Sequence, residues 1–61
     1  MLPKDPYILL SYLNTQLRDG CPTLAELCAA TDQDRDAIEA PLKRIGYVYN
    51  PQRNQFVREK T

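Results

Sequence analysis

The sequence predicts a mainly α domain with one small β-hairpin: three helices followed by a C-terminal two-stranded element. Three observations carry that reading. Between Thr23 and Ile45, two short apolar-periodic segments are joined by the polar turn Thr31-Asp32-Gln33. A longer periodic segment, opened by Asp5-Pro6 and followed by Gly20, precedes them. After Gly46, two β-favouring runs, Tyr47-Val48-Tyr49 and Gln55-Phe56-Val57, flank a turn-forming stretch. The 61 residues form a single domain. Helices are expected over about 6–19, 24–30 and 33–45, and the hairpin over about 47–57.

Helix one begins where Asp5 can accept a hydrogen bond from a free N–H of the first turn and Pro6 fits the first helical position. Leu9, Leu10, Leu13 and Leu17, at spacings of three and four, make one apolar stripe, which Ile8 and Tyr12 widen to a second flank. Such a widened stripe suits a central core helix, or a helix that packs partly on a second copy of the chain. Size favours taking the second option seriously, because so short a chain buries only about 60% of its unfolded surface. Gly20 suits a left-handed residue just past the helix end, and Pro22 keeps the helix from running on.

Thr23 and Glu26 match a capping box that opens helix two, with Leu24, Leu27 and Cys28 as its apolar face. Ala29 and Ala30 permit close helix approach. Asp32 is the expected N-cap of helix three, with Asp34 and Asp36 in its first turn, where each carboxylate gains about 0.3–1 kcal/mol from the helix dipole. Ile38, Leu42 and Ile45 form the buried edge. Pro41 is the anomaly: it deletes the bond to the Ala37 carbonyl at a cost of ~3 kcal/mol in a regular helix. A kink between Ala37 and Leu42, or a break at Pro41, is expected. In the hairpin, Pro51 suits the second position of a type I turn and Asn54 tolerates a left-handed conformation. Pairing Asn50 with Gln55 sets Tyr49 opposite Phe56 and Val48 opposite Val57, and puts Tyr47, Tyr49 and Phe56 on one face, expected to close the core. Arg58 to Thr61 is expected to be a frayed tail.

Composition excludes more than it indicates. There is no histidine, no glycine-rich phosphate loop and no spacing that would set a base beside a nucleophile, so no enzyme and no cofactor are expected. A chain this small has little room for a pocket of the ~300 Å³ that small-molecule sites need. Cys21 and Cys28 cannot complete a zinc site without histidine, and buried or half-buried thiols in a reducing compartment are expected. Asp32, Asp34 and Asp36 alternate as a calcium loop might, but the glycine and the distant glutamate of such a loop are missing, and helix capping accounts for them. With no metal, no signal segment and no apolar run near the ~20 residues that span a bilayer, a cytoplasmic protein without membrane partners is expected.

The formal net charge is zero, but its halves differ. From Leu42 onward, Lys43, Arg44, Arg53, Arg58 and Lys60 oppose only Glu59, a net charge of +4, and Met1 to Pro41 balances this with −4. A solvated surface with charges placed for helix ends explains much of it. The helix-turn-helix followed by a hairpin also resembles, in spacing, the winged-helix DNA-binding domains. There the second helix of the pair enters the major groove and the hairpin contacts the backbone. That resemblance makes Arg35, Lys43, Arg44, Arg53, Arg58 and Lys60 candidate nucleic-acid contacts. However, Asp36 and Glu39 lie on the groove-facing side, where they would meet phosphates unfavourably, and Pro41 spoils a straight probe helix. Backbone contact led by the basic hairpin fits better than sequence readout.

Nearly the whole chain resembles one family of small bacterial proteins, domain of unknown function 4250. The resemblance rests on Leu2-Pro3-Lys4-Asp5-Pro6, Asn14-Thr15, Leu17-Arg18-Asp19, Leu24-Ala25-Glu26-Leu27-Cys28 and Asn54-Gln55-Phe56-Val57. Pro41 departs from the ordinary helix former expected there. The resemblance implies a complete small protein rather than a fragment, and brings no activity, cofactor or site residue. It draws attention to Asn14, Thr15, Arg18, Asn54 and Gln55, which are either a polar network tying helix one to the hairpin or a patch that recognises a partner. The resulting expectation is a non-catalytic protein-interaction module, docking a partner protein or self-associating as a homodimer through helix one. The alternative is a nucleic-acid binder working through its basic hairpin.

Overall fold

The computed structural model describes residues 2–59. Helices α1 (Pro6–Asp19), α2 (Leu24–Thr31) and α3 (Arg35–Arg44) are followed by strands β1 (Tyr47–Asn50) and β2 (Gln55–Arg58). The strands pair antiparallel in the register the turn chemistry predicts: Asn50 with Gln55, Tyr49 with Phe56, Val48 with Val57 and Tyr47 with Arg58. Asn54 takes the left-handed conformation, φ 53°, that closes the turn. Of the expected frayed tail, Arg58 ends β2, and Lys60 and Thr61 lie outside the described residues.

Leu9, Leu13 and Leu17 of α1, Leu24 and Leu27 of α2, Ile38 and Leu42 of α3 and Phe56 of β2 form the core, together with Cys21. Helix α1 packs on β2, and α3 on β1. Tyr47 and Tyr49 lie partly buried against this core. The Tyr49 and Phe56 rings meet at 5.6 Å in a tilted arrangement. The hairpin thus closes the core with the expected face. Leu10, Cys28 and Ile45 are only partly buried against it. On the second flank of α1, Ile8 is 60% and Tyr12 36% exposed among the described residues, and Tyr7 in the first turn is 62% exposed.

The helix ends follow capping chemistry, with three departures. Asp5 accepts from the N–H groups of Tyr7 and Ile8, as expected. Thr23 caps the Glu26 N–H at 3.2 Å, but Glu26 returns no bond, so half of the capping box forms. Gly20 is not left-handed; its φ of −138° is open to any residue. Asp32 is not the N-cap of α3. It turns left-handed, φ 54°, and its N–H and that of Gln33 close the end of α2, so α3 starts later, with Asp34 as its N-cap. The break expected at Pro41 does not occur, and α3 stays α-helical from Arg35 to Arg44. Ile38 and Leu42, both fully buried, hold the helix on either side of the proline, and Ala37, whose carbonyl loses its donor, is exposed to water.

Candidate functional site

A polar seam joins α1 to the hairpin. The Asn14 carboxamide accepts from the Phe56 N–H at 2.7 Å and donates to the Phe56 carbonyl at 3.2 Å. It therefore satisfies both backbone groups of one strand residue, as a neighbouring strand would. Asn54, fixed in the turn by its left-handed backbone, donates to the carbonyls of Leu17 at 3.0 Å and Cys21 at 2.9 Å. Those carbonyls sit where α1 ends and lack helical donors. The Tyr49 hydroxyl donates to Asn54 Oδ1 at 2.6 Å and accepts from the Leu24 N–H, an orphan donor of the first turn of α2, at 3.2 Å. Two sets of hydrogen bonds thus tie the hairpin to the helices: Asn14 holds β2 to α1, and Asn54 with Tyr49 ties the turn and β1 to the end of α1 and the start of α2.

All five residues proposed as a partner patch come together. Asn14, Thr15 and Arg18 from α1, and Asn54 and Gln55 from the hairpin, line one open groove of about 600 Å³. That exceeds the space expected of so small a chain, because the groove is an open furrow between two elements. Tyr7, Leu10, Ser11 and Arg53 also border it and were not placed in the patch. The signal for them lay in the spacing, since Tyr7, Ser11, Asn14 and Arg18 recur every three or four residues on one side of α1. The five residues do different work. Asn14 and Asn54 spend their amides on the seam. The Thr15 hydroxyl donates to the Ser11 carbonyl at 2.9 Å. Exposed Arg18 pairs with Asp19 at 2.9 Å, and that bond holds the Asp19 carboxyl below its ordinary range. No side-chain hydrogen bond from Gln55 is made among the described residues.

The described candidate nucleic-acid residues lie on α3, in the hairpin turn and on β2. Arg35 is engaged by Glu39 one turn on, and its guanidinium lies 5.9 Å from the centre of the Tyr49 ring. Lys43 and Arg44 end α3, and Arg58 opposes Tyr47 at the same end of the hairpin. Arg53 sits in the turn at the other end, about 10 Å along the strands. These four side chains are exposed and make no ion pair among the described residues. Lys60 lies outside the described residues. Cys21 is buried and Cys28 half-buried, both as free thiols, and burial pushes the Cys28 thiol up from its ordinary range. Asp32 closes α2 through its backbone, Asp34 holds the N-cap position of α3 without a side-chain capping bond, Asp36 lies in the first turn of α3, and among the described residues no three His, Cys, Asp or Glu side chains gather as metal ligands. Among these residues, too, no helix is long and apolar enough to cross a membrane.

Fold and seam define a small three-helix domain with a hairpin clamped to its first helix. Residues 3–56 match the family described as Domain of unknown function (DUF4250), and the chain belongs to that family. No function is indicated by that membership. Comparison with curated proteins and with solved structures gave no match.

Proposed function

We propose that this protein is a non-catalytic protein-interaction module on a winged-helix-like scaffold, and that it docks a partner protein, or a second copy of itself, across the N-terminal half of α1. The observation that supports this is the placement of its exposed large apolar side chains. Among the described residues these are Tyr7, Ile8 and Tyr12, all within the first two turns of α1; Tyr7 borders the α1–hairpin groove, and Tyr12 a separate hollow beside Ala30 and Thr31 of α2. Polar residues could occupy all three positions without cost to the core. Exposed apolar side chains gathered at one end of a helix suit contact with another protein. Site-specific photo-crosslinking in cells tests the reading. A crosslinker placed at Ile8 or Tyr12 should give a protein adduct, and one at Glu26, exposed on α2, should not. The adduct's mass tells a second copy from a foreign protein. Equal labelling at the three positions, or none, overturns the proposal.

A second reading rests on Lys43, Arg44, Arg53 and Arg58, exposed and unpaired among the described residues. In this reading they contact a nucleic-acid backbone, without sequence readout. Titration with duplex DNA checks it. Affinity should fall steeply between low and moderate salt if several phosphates are neutralised, and absence of binding at low salt removes the reading.

A further inference from the structure

The groove between α1 and the hairpin carries charge of one sign, and only at one end. Arg18 and Arg53 line it, and no carboxylate does. The hydrogen bond from Asn54 to the Leu17 carbonyl sets the two arginines at the same end, since each is the chain neighbour of one bonded residue. Arg18 gives Nε and Nη2 to Asp19, which leaves Nη1 for another acceptor. Arg53 is exposed in the turn and makes no ion pair among the described residues. The carbonyls of Leu17 and Cys21 at the end of α1 would repel an anion there, but Asn54 donates to both. The other end of the groove is bordered by Tyr7 and Leu10 and is uncharged. Its walls are fixed before anything binds, because Asn14 holds β2 to α1 and Asn54 holds the turn to α1.

We infer that this groove takes an extended segment of a foreign protein, with one Asp or Glu at the Arg18–Arg53 end and one apolar side chain at the Tyr7–Leu10 end. The inference rests on the reading of α1 as the docking helix and names the chemistry of the partner. Length sets the spacing. From midway between Tyr7 and Leu10 to Arg18 is about 14 Å along the helix axis, at ~1.5 Å per residue. An extended chain covers about 13 Å in four residues, and residues four apart point to the same side. The carboxylate then accepts from Arg18 Nη1 and from the Arg53 guanidinium, as charge-assisted hydrogen bonds. The chain from Leu42 onward carries a net charge of +4, five cations against one acid, which favours the approach of an acidic partner. A nucleic-acid backbone suits the groove less well. It carries a phosphate at every nucleotide, whereas the cations of the groove are confined to one end.

Titration of the isotope-labelled chain, followed through its amide chemical shifts, tests the inference. The probes are the capped pentapeptides Leu-Ser-Ser-Ser-Glu and Glu-Ser-Ser-Ser-Leu, which cover both chain directions. At millimolar concentration, at least one should shift the amides of Ser11, Thr15, Arg18 and Gln55 and leave that of Glu26, on α2, in place. Glutamine in place of the peptide's glutamate should weaken binding ~10-fold, the worth of a hydrogen bond to a charged group. Arg18→Gln and Arg53→Gln, both at exposed positions, should each weaken it at least ~5-fold. Lys43→Gln, exposed on α3, should leave it within ~2-fold. No shift with either peptide, equal binding of the glutamine peptide, or indifference to both arginine substitutions overturns the inference. So does duplex DNA that shifts the same amides at lower concentration, a result that favours the nucleic-acid reading. Crosslinking at Ile8 and Tyr12 keeps the two failures apart. A foreign adduct without peptide binding overturns the acidic segment alone, an adduct of twice the chain mass overturns the foreign partner, and no adduct removes the docking reading itself.

Discussion

On the β2 side of the hairpin, the N–H and C=O of Phe56 both end on Asn14; on the β1 side, the same groups of Tyr49 meet no partner among the described residues. The two strands are of equal length and face each other residue for residue, so pairing geometry does not explain the difference. What differs is the neighbour. Helix α1 runs beside β2 and carries, at the right height, the one side-chain type that both donates and accepts along a plane like that of a peptide. Helix α3 lies beside β1 and sends it Arg35, which reaches the Tyr49 ring and not the backbone. A single carboxamide thus ends the sheet on one side. The other side is free to extend it.

Breaking that asymmetry should have the largest effect. Asn14→Ala strands the part-buried Phe56 N–H and C=O, each worth about 1–3 kcal/mol when left unmade. A loss of about 3 kcal/mol is expected in urea denaturation, a large share of the stability of so small a domain. The variant also opens the second edge. With the Phe56 N–H and C=O left open, light scattering should show more self-association than in wild type as concentration rises. Asn14→Asp sharpens the point. It keeps the acceptor for the Phe56 N–H but sets a carboxylate oxygen against the Phe56 carbonyl, so it should do no better than alanine at neutral pH. Part of the loss should return near pH ~4, where the protonated acid again has a hydrogen to donate.

How much of this could be read from the chain follows from how local each cause is. Asp5-Pro6 and Thr23 mark helix starts because the bonds they make lie within the next three residues. The strand register was legible because Asn54 fixes the turn and the turn fixes the pairing. The seam was legible only in outline. Asn14, Thr15, Arg18, Asn54 and Gln55 do converge on one groove, but the target of Asn14 is the backbone of Phe56, 42 residues away, and a backbone target leaves no mark in the sequence. Asp32 misled because two aspartates compete for one turn, and the choice between them rests on which adopts the left-handed conformation that ends α2. Of the two outcomes expected at Pro41, the break does not occur, because the position of the helix is set by Ile38 and Leu42 in the core. The burial of Cys21 in what reads as a connector has the same character. Its carbonyl is held by Asn54 from the far end of the chain, which draws the connector onto the core.

A smaller effect separates the side chain of β1 from its edge. Tyr49 faces inward with its ring and hydroxyl and outward with its backbone, so the two can be changed apart. Tyr49→Phe removes the bond to Asn54 Oδ1 and the acceptor for the Leu24 N–H but keeps the ring against Phe56. Thr23 still caps α2, and the Leu24 N–H at a helix start lies where water can replace the lost acceptor. Destabilisation of about 1 kcal/mol is expected, well short of Asn14→Ala.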